Sequence, residues 1–224
     1  MIDSWRTILY LPLGLLPSLF FTVRILQQWV QSERQGKSHV TPLFWRLSLA
    51  GQWLLFIHFV IQVQFPFALI QATNGLLSWR NLNLMKKRRI SFKAMIFLLI
   101  AAPCIVALVF VLQSLFVIGE FDWIRTPTKL WNSERIHHSL GWHLLGTFGG
   151  ILFASRFWVQ WWLAERKNKS ELNPFFWWIS LSGSIVLLMY FLHTKDVINI
   201  VNYSFGLVPY TRNLLLIRRV RRTH

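Results

Sequence analysis

Between Met95 and Gln113 the chain carries no charged side chain at all, and that stretch leaves few folds open. A hydrocarbon core about 30 Å thick is crossed by about 20 mostly apolar residues in a helix. Inside it every backbone N–H and C=O must be satisfied within the segment, which a helix achieves. Including the uncharged stretch, seven runs meet the length requirement: 9–30, 43–63, 65–84, 92–118, 142–163, 175–193 and 197–217. The chain is therefore read as an all-α integral membrane protein of seven transmembrane helices. A length of 224 residues would otherwise suit one or two soluble domains, but 54% of the residues are apolar and only 8 are acidic. The first run is too long for a secretory leader and follows no basic segment, so it is expected to stay as a span.

The net charge of +16 is not read as a nucleic-acid footprint, because the basic residues gather between the apolar runs. Lys and Arg accumulate in cytoplasmic loops, and that bias sets orientation. The single cysteine, Cys104, lies in an apolar run, so neither a disulfide framework nor paired metal thiolates are expected.

A second constraint is internal repetition. Residues 24–45 read RILQQWVQSERQGKSHVTPLFW, and residues 156–177 read RFWVQWWLAERKNKSELNPFFW. An offset of 132 residues carries Arg24 to Arg156 without a gap. The same offset pairs Gln28 with Gln160, Trp29 with Trp161, Glu33 with Glu165, Pro42 with Pro174 and Trp45 with Trp177. It continues through Ser48 and Ser180, Gly51 and Gly183, and ends at Arg80-Asn81 and Arg212-Asn213. Apolar helices resemble one another cheaply; matched polar, aromatic, Gly and Pro positions do not.

Each repeat spans three runs, the first over 9–84 and the second over 142–217. The run 92–118 lies between them, followed by a loop over 119–140, and 218–224 form a basic tail. Three helices reverse the chain's side of the membrane and one more restores it, so the repeats run parallel in a 3+1+3 plan. With Met1 outside and His224 inside, one face collects Arg34, Lys37, Lys86, Lys87, Arg88, Arg89, Lys93, Arg166, Lys167, Lys169 and the tail arginines. The other face holds Arg6, Arg125, Lys129, Arg135 and Lys195. The expected topology is N-outside, C-cytoplasmic. Trp123, Ile124, Leu130 and Trp131 are expected at the outer interface.

The series RFWVQWWLAER, then S-x-x-x-PFFWWISLSG, then YTRNL resembles the lipid A biosynthesis N-terminal domain family. The first repeat resembles it too, through VRILQQWVQSER, SHVTPLFWRLSLAG and WRNL. That family occurs ahead of the catalytic region in some lipid-A-disaccharide synthases, and its three-helix plan is similar to PQ-loop and SWEET membrane proteins. The resemblance implies a role in lipid A biosynthesis at the bacterial inner membrane, beside a cytoplasmic glycosyltransferase. Membrane lipids and lipid A precursors are the implied ligands. The synthases' catalytic region is a two-lobed soluble α/β unit, and no alternating strand–helix pattern or phosphate-cradling glycine loop is visible here. The family name implies glycosyltransferase activity, but no catalytic domain is visible in this chain. No cofactor is expected.

Arg24 and Arg156 lie well inside apolar runs, where an arginine costs about 2.5–3.5 kcal/mol on insertion scales. Gln28 and Gln160 follow one turn later on the same helix face. Two roles are expected of this polar set. In the first, Glu33 pairs with Arg80 and Glu165 with Arg212 inside each repeat, while Arg24 and Arg156 snorkel towards the inner headgroups. In the second, Arg24, Gln28, Arg80, Asn81, Arg156, Gln160, Arg212 and Asn213 form an anion pocket for a phosphorylated headgroup, which guanidinium forks suit.

Pro17 and Gly149 correspond between the repeats and Pro209 lies in the last run, as hinge candidates; the simpler reading is ordinary Gly and Pro of membrane helices. They motivate the alternative function, a SWEET-like small transporter or flippase of a lipid-linked sugar. Glu134, His137, His138 and His143 are spaced too irregularly for a metal site, and none is expected. His58, Tyr190 and His193 are read as packing residues. Trp158, Trp161, Trp162, Trp177 and Trp178 are read as interfacial belts. No nucleophile with its base and orienting group can be assembled, so no catalytic residue is named.

Overall fold

The computed structural model describes residues 2–36, 40–121, 123, 139–168, 170, 172–194 and 197–222. Among the described residues the regular elements are all helical. They are α1 (Ile2–Gln35), α2 (Pro42–Ile61), α3 (Phe65–Leu84), α4 (Phe92–Gln113), α5 (Leu140–Lys167), α6 (Pro174–Thr194) and α7 (Val197–Arg222). A π-helical turn, Ser114–Ile118, extends α4 and ends at Gly119 in the left-handed region at φ 78°. Four described stretches are long and apolar enough to cross a membrane: Pro12–Gln35, Pro42–Ile61, Phe92–Ile118 and Pro174–His193. Their outward faces are oily, with Phe97, Ile100, Leu108 and Phe116 of the third all exposed. Exposed apolar area on that scale belongs against lipid. The chain is a membrane protein.

The other three expected spans, in α3, α5 and α7, fall short on apolarity rather than length. Their interiors hold polar groups: Asn74, Ser78, Arg80 and Asn81 in α3, Arg156 and Gln160 in α5, and Asn213 in α7 are all buried. That pattern fits helices whose polar side faces other helices.

The chain divides into two compact units. One comprises Met1–Thr22 and Trp45–Glu134, the other Val23–Phe44 and Arg135–His224. The division cuts α1: its first part belongs with α2, α3 and α4, its second with α5, α6 and α7. The unit boundaries therefore do not coincide with the repeat boundaries.

In the first unit, α2 passes into α3 through Val63, which holds φ 58°. A β-branched residue is rarely found there. Burial accounts for it, because Val63 joins Ala68, Val106 and Phe110 in a closed apolar cluster. Phe65 and Trp123 cover this cluster, and the Trp123 indole donates to Ser114 Oγ at 2.9 Å. Trp123, expected at the interface, is a packing residue. Gln113 donates to the Val60 carbonyl at 2.9 Å, tying α4 to the end of α2.

In the second unit, α5 and α6 approach closely at Gly183. A Cβ there would lie 2.9 Å from both Phe153 Cα and Phe153 Cβ. Small residues allow this kind of helix contact in membranes, where packing rather than water drives association. The matched Gly51 of the first unit faces a side chain instead, its Cβ position lying 2.6 Å from Phe21 Cε1. Gly149, against Val186 and Leu187, and Gly146, against Tyr190, also bring α5 close to α6. Pro17 and Pro209 lie inside helices that continue on either side of them. The helix breakers therefore coincide with no break.

The repeat explains itself through burial. Arg24 and Arg156, Gln28 and Gln160, Phe44 and Phe176, Trp45 and Trp177, Ser48 and Ser180, and Asn81 and Asn213 are all buried. The tryptophans divide: Trp158, Trp162 and Trp178 are exposed, as belts require, whereas Trp161 and Trp177 are interior. Of the acid and histidines at which no metal site is expected, Glu134, His137 and His138 lie outside the described residues. Most of the loop 119–140 also does. Among the described residues no group of metal-ligating side chains comes together.

Candidate functional site

The second unit gathers six of the eight residues expected to form an anion pocket: Arg24, Gln28, Arg156, Gln160, Arg212 and Asn213. Arg80 and Asn81 belong to the first unit.

Gln28 and Asn213 bond each other. Gln28 Nε2 donates to Asn213 Oδ1 at 2.8 Å, and Asn213 Nδ2 returns a bond to Gln28 Oε1 at 3.0 Å. The remaining amide hydrogens are also used, Gln28 on Ser32 Oγ and Asn213 on the Pro209 carbonyl, both at 2.8 Å. Two fully buried amides are thereby satisfied, as interior polar groups must be. They form a lock between α1 and α7 and offer a ligand little.

The ion pair beside it corrects an expectation. Glu33 was expected on Arg80 and Glu165 on Arg212, within each repeat. Instead Arg212 takes Glu33 in a fork: Nε donates to Oε1, and Nη2 donates to Oε2 at 2.9 Å. The cause is the division of α1, whose second half packs with α7 rather than α3. A tryptophan one turn earlier orients each acid, Trp29 Nε1 to Glu33 at 3.1 Å and Trp161 Nε1 to Glu165 at 2.9 Å. Both the Glu33 and Arg212 side chains are 35% exposed, so the pair is a half-wet clasp. Glu33→Arg is expected to lower the thermal midpoint of the detergent-solubilised protein. Adding Arg212→Glu should restore most of that loss; a double variant no more stable than either single would show that the clasp couples nothing.

Arg80 folds back on its own turn. Its Nη1 donates to Asn83 Oδ1 and to the Ile90 carbonyl, both at 2.8 Å, and Ile90 N–H donates to the same Asn83 oxygen at 3.0 Å. This pins the exposed basic turn Lys86–Arg89 between α3 and α4. Asn81 donates to the Leu77 carbonyl at 2.9 Å, the counterpart of the bond from Asn213 to Pro209.

Arg24 and Arg156 remain. Neither snorkels: their relative exposures are 3% and 6%. The Arg24 guanidinium lies 5.1 Å from the Phe44 centroid and 5.5 Å from that of Phe157. The Arg156 guanidinium lies 3.5 Å from Phe153, 5.1 Å from the same Phe157 and 5.8 Å from Phe176. Desolvated cation–π contacts are worth about 2 kcal/mol, which helps to hold a buried cation. Arg156 Nη1 also reaches Ser180 Oγ at 3.5 Å and Tyr210 OH at 3.4 Å, both long. The aromatic members of this site were missed from the sequence. Tyr210 stands in the YTRNL motif and Phe176 in the matched PFFW, but nothing in their spacing marks them as an arginine's surroundings.

A model of the Lipid A Biosynthesis N-terminal domain matches the chain twice, over residues 13–83 and 145–215. The chain belongs to that family. The two matched copies leave out the helix α4, in keeping with a repeat on either side of it. The lipid A biosynthesis N-terminal domain chain is also similar to proteins named lipid-A-disaccharide synthase. That of Chlamydia felis is 36% identical over 211 residues, covering 94% of this chain and 33% of the relative. That of Chlamydia pneumoniae is 34% identical over 223 residues, covering 100% and 36%. For Chlamydia trachomatis serovar D the figures are 34% over 208 residues, 93% and 34%. The chain thus spans about a third of the length of these relatives. No solved structure matches it. Family and relatives together associate the chain with lipid A biosynthesis.

Proposed function

We propose that the chain is a membrane module of lipid A assembly. It retains a lipid-A-disaccharide-synthase-type glycosyltransferase at the inner leaflet of the bacterial inner membrane and receives the enzyme's lipid-linked, phosphorylated substrate. The observation that carries this is the coverage: nearly all of this helical chain aligns with only a third of each relative named lipid-A-disaccharide synthase. In those relatives a region like this one shares a polypeptide with the remaining two thirds. The catalytic work then belongs to that remainder or to a separate protein, and the membrane region supplies location and acceptor.

The charge distribution supports a parallel 3+1+3 plan with the N-terminus outside and the C-terminus cytoplasmic. In that orientation the turn Lys86–Arg89 and the arginines from Arg218 onward share the face where an inner-leaflet glycosyltransferase works. The transporter alternative drew on Pro17, Gly149 and Pro209, which lie in continuous helices or at a close helix contact. Docking is therefore the reading adopted.

Deleting the chain from its own cells should move lipid-A-disaccharide synthase activity from the membrane fraction to the soluble fraction, and re-expression should return it. A synthase that partitions identically with and without the chain would refute the anchoring role.

A further inference from the structure

Beside Phe157, Arg156 and Tyr210 hold donors that meet no acceptor among the described residues. Arg156 is 6% exposed, and its Nε–H has no hydrogen-bond partner. Its Nη1 makes two long bonds, to Ser180 and Tyr210. The Ser180 hydroxyl proton is committed to the Phe176 carbonyl at 2.6 Å. Tyr210, 4% exposed, accepts from Arg156, and its own proton reaches no acceptor among the described residues. No carboxylate among the described residues pairs with Arg156. Arg24 brings a second guanidinium to the other contact with Phe157.

Like charges brought together under burial are costly unless something negative compensates them. The aromatic faces offset part of that cost but accept no conventional hydrogen bond. What Arg156 and Tyr210 call for is an anion with several acceptor oxygens, within reach of an Nε–H, an Nη–H₂ and a phenolic O–H. A carboxylate meets the fork but leaves the phenol unused. A phosphate monoester dianion meets all of it, because its terminal oxygens accept a bidentate arginine on one edge and a hydroxyl on another.

We infer that Arg156, Tyr210 and Arg24 form a phosphate-binding clamp inside the second unit. The ligand class is a phosphate monoester, carried on a lipid headgroup or free as inorganic phosphate. The inference rests on the proposed function in one respect, that the chain receives a phosphorylated lipid, and gives that substrate a place. Phe153, Phe157 and Phe176 exclude water, so each charged hydrogen bond counts for more than it would in solution.

The test uses the full chain in nanodiscs of phosphatidylcholine, with dioleoylphosphatidic acid as the lipid phosphomonoester. To remove surface attraction, it is run in a background of Lys86→Gln, Lys87→Gln, Arg88→Gln and Arg89→Gln. Phosphatidic acid retained by this background and measured by native mass spectrometry should be lost about ten-fold or more on Arg156→Ala. Arg156→Lys, which keeps the charge but not the fork, should fall between. Tyr210→Phe removes a single hydroxyl and should keep the fold while weakening retention several-fold. Competition by millimolar inorganic phosphate assigns the site to the free ion, and its absence assigns it to the lipid headgroup; either supports the clamp. Equal retention by the background, Arg156→Lys and Tyr210→Phe proteins overturns it. Loss of synthase from the membrane on deleting the chain, with no phosphatidic acid retention, would overturn the clamp alone and leave the anchoring role standing.

Discussion

Leucine in place of Gly183 is expected to remove roughly 3 kcal/mol or more of stability, enough to unfold the second unit in mild detergent. The conflict begins at Cβ, 2.9 Å from Phe153 Cα and 3.0 Å from Phe153 N, so a main chain rather than a pliable side chain stands in the way. Only a separation of α5 from α6 relieves it. That separation would carry Phe176 off the Arg156 guanidinium and Ser180 away from its Nη1. A control lies on the same helix as Phe153: an added Cβ at Gly150 meets nothing within 4 Å. Gly150→Ala should therefore be neutral, or gain up to about 1 kcal/mol of helix propensity. Thermal unfolding followed by tryptophan fluorescence would separate the two. Matching midpoints for Gly183→Leu and the native chain would mean that α5 and α6 do not meet there.

Asn213→Leu has the next largest effect, at roughly 2 kcal/mol. The substitution nearly conserves volume, so the loss comes from Gln28, which is fully buried and left with an unmatched amide. The asymmetry of hydrogen-bond energetics gives a sharper form of the test. Leaving one partner unsatisfied is costly, whereas removing both is nearly neutral. Gln28→Leu combined with Asn213→Leu should therefore recover much of the loss, measured as the same unfolding midpoint. Strictly additive losses would show that the two amides do not act as a pair.

That matched polar residues lie deep in the apolar runs was legible in the sequence, and which helix they meet was not. The offset that pairs Arg24 with Arg156 and Ser48 with Ser180 picks out polar groups in apolar runs, and those groups are buried. Depth along the helix was also legible, since Gln28 follows Arg24 by one turn and Glu33 lies near the end of α1. Depth does not choose between partners. Arg80 and Arg212 end equivalent helices, so Glu33 meets either one equally well on spacing alone. The choice is made by packing, through the second half of α1 joining α7. Snorkelling of Arg24 and Arg156 was the default for a long cationic stem near lipid. It failed because Phe44 of α2 and Phe176 of α6 converge with Phe153 and Phe157 of α5, a grouping that no single-helix pattern displays. The tryptophans carry the same lesson at smaller scale: adjacent Trp177 and Trp178 look alike in sequence, yet one is interior and the other faces outward.

The division of α1 has a consequence for the order in which the nascent chain matures. Glu33 and Arg212 are separated by 179 residues. At about 5–20 residues per second, a ribosome takes on the order of ten seconds or more to deliver the second after the first. Throughout that interval the last turns of α1 hold an acid and a buried-type amide whose partners have not been made. The helix α1 is thus completed only once α7 has been made. A message truncated anywhere before α7 yields a product with both groups unmatched, a signature by which membrane quality control can tell a finished chain from a broken one.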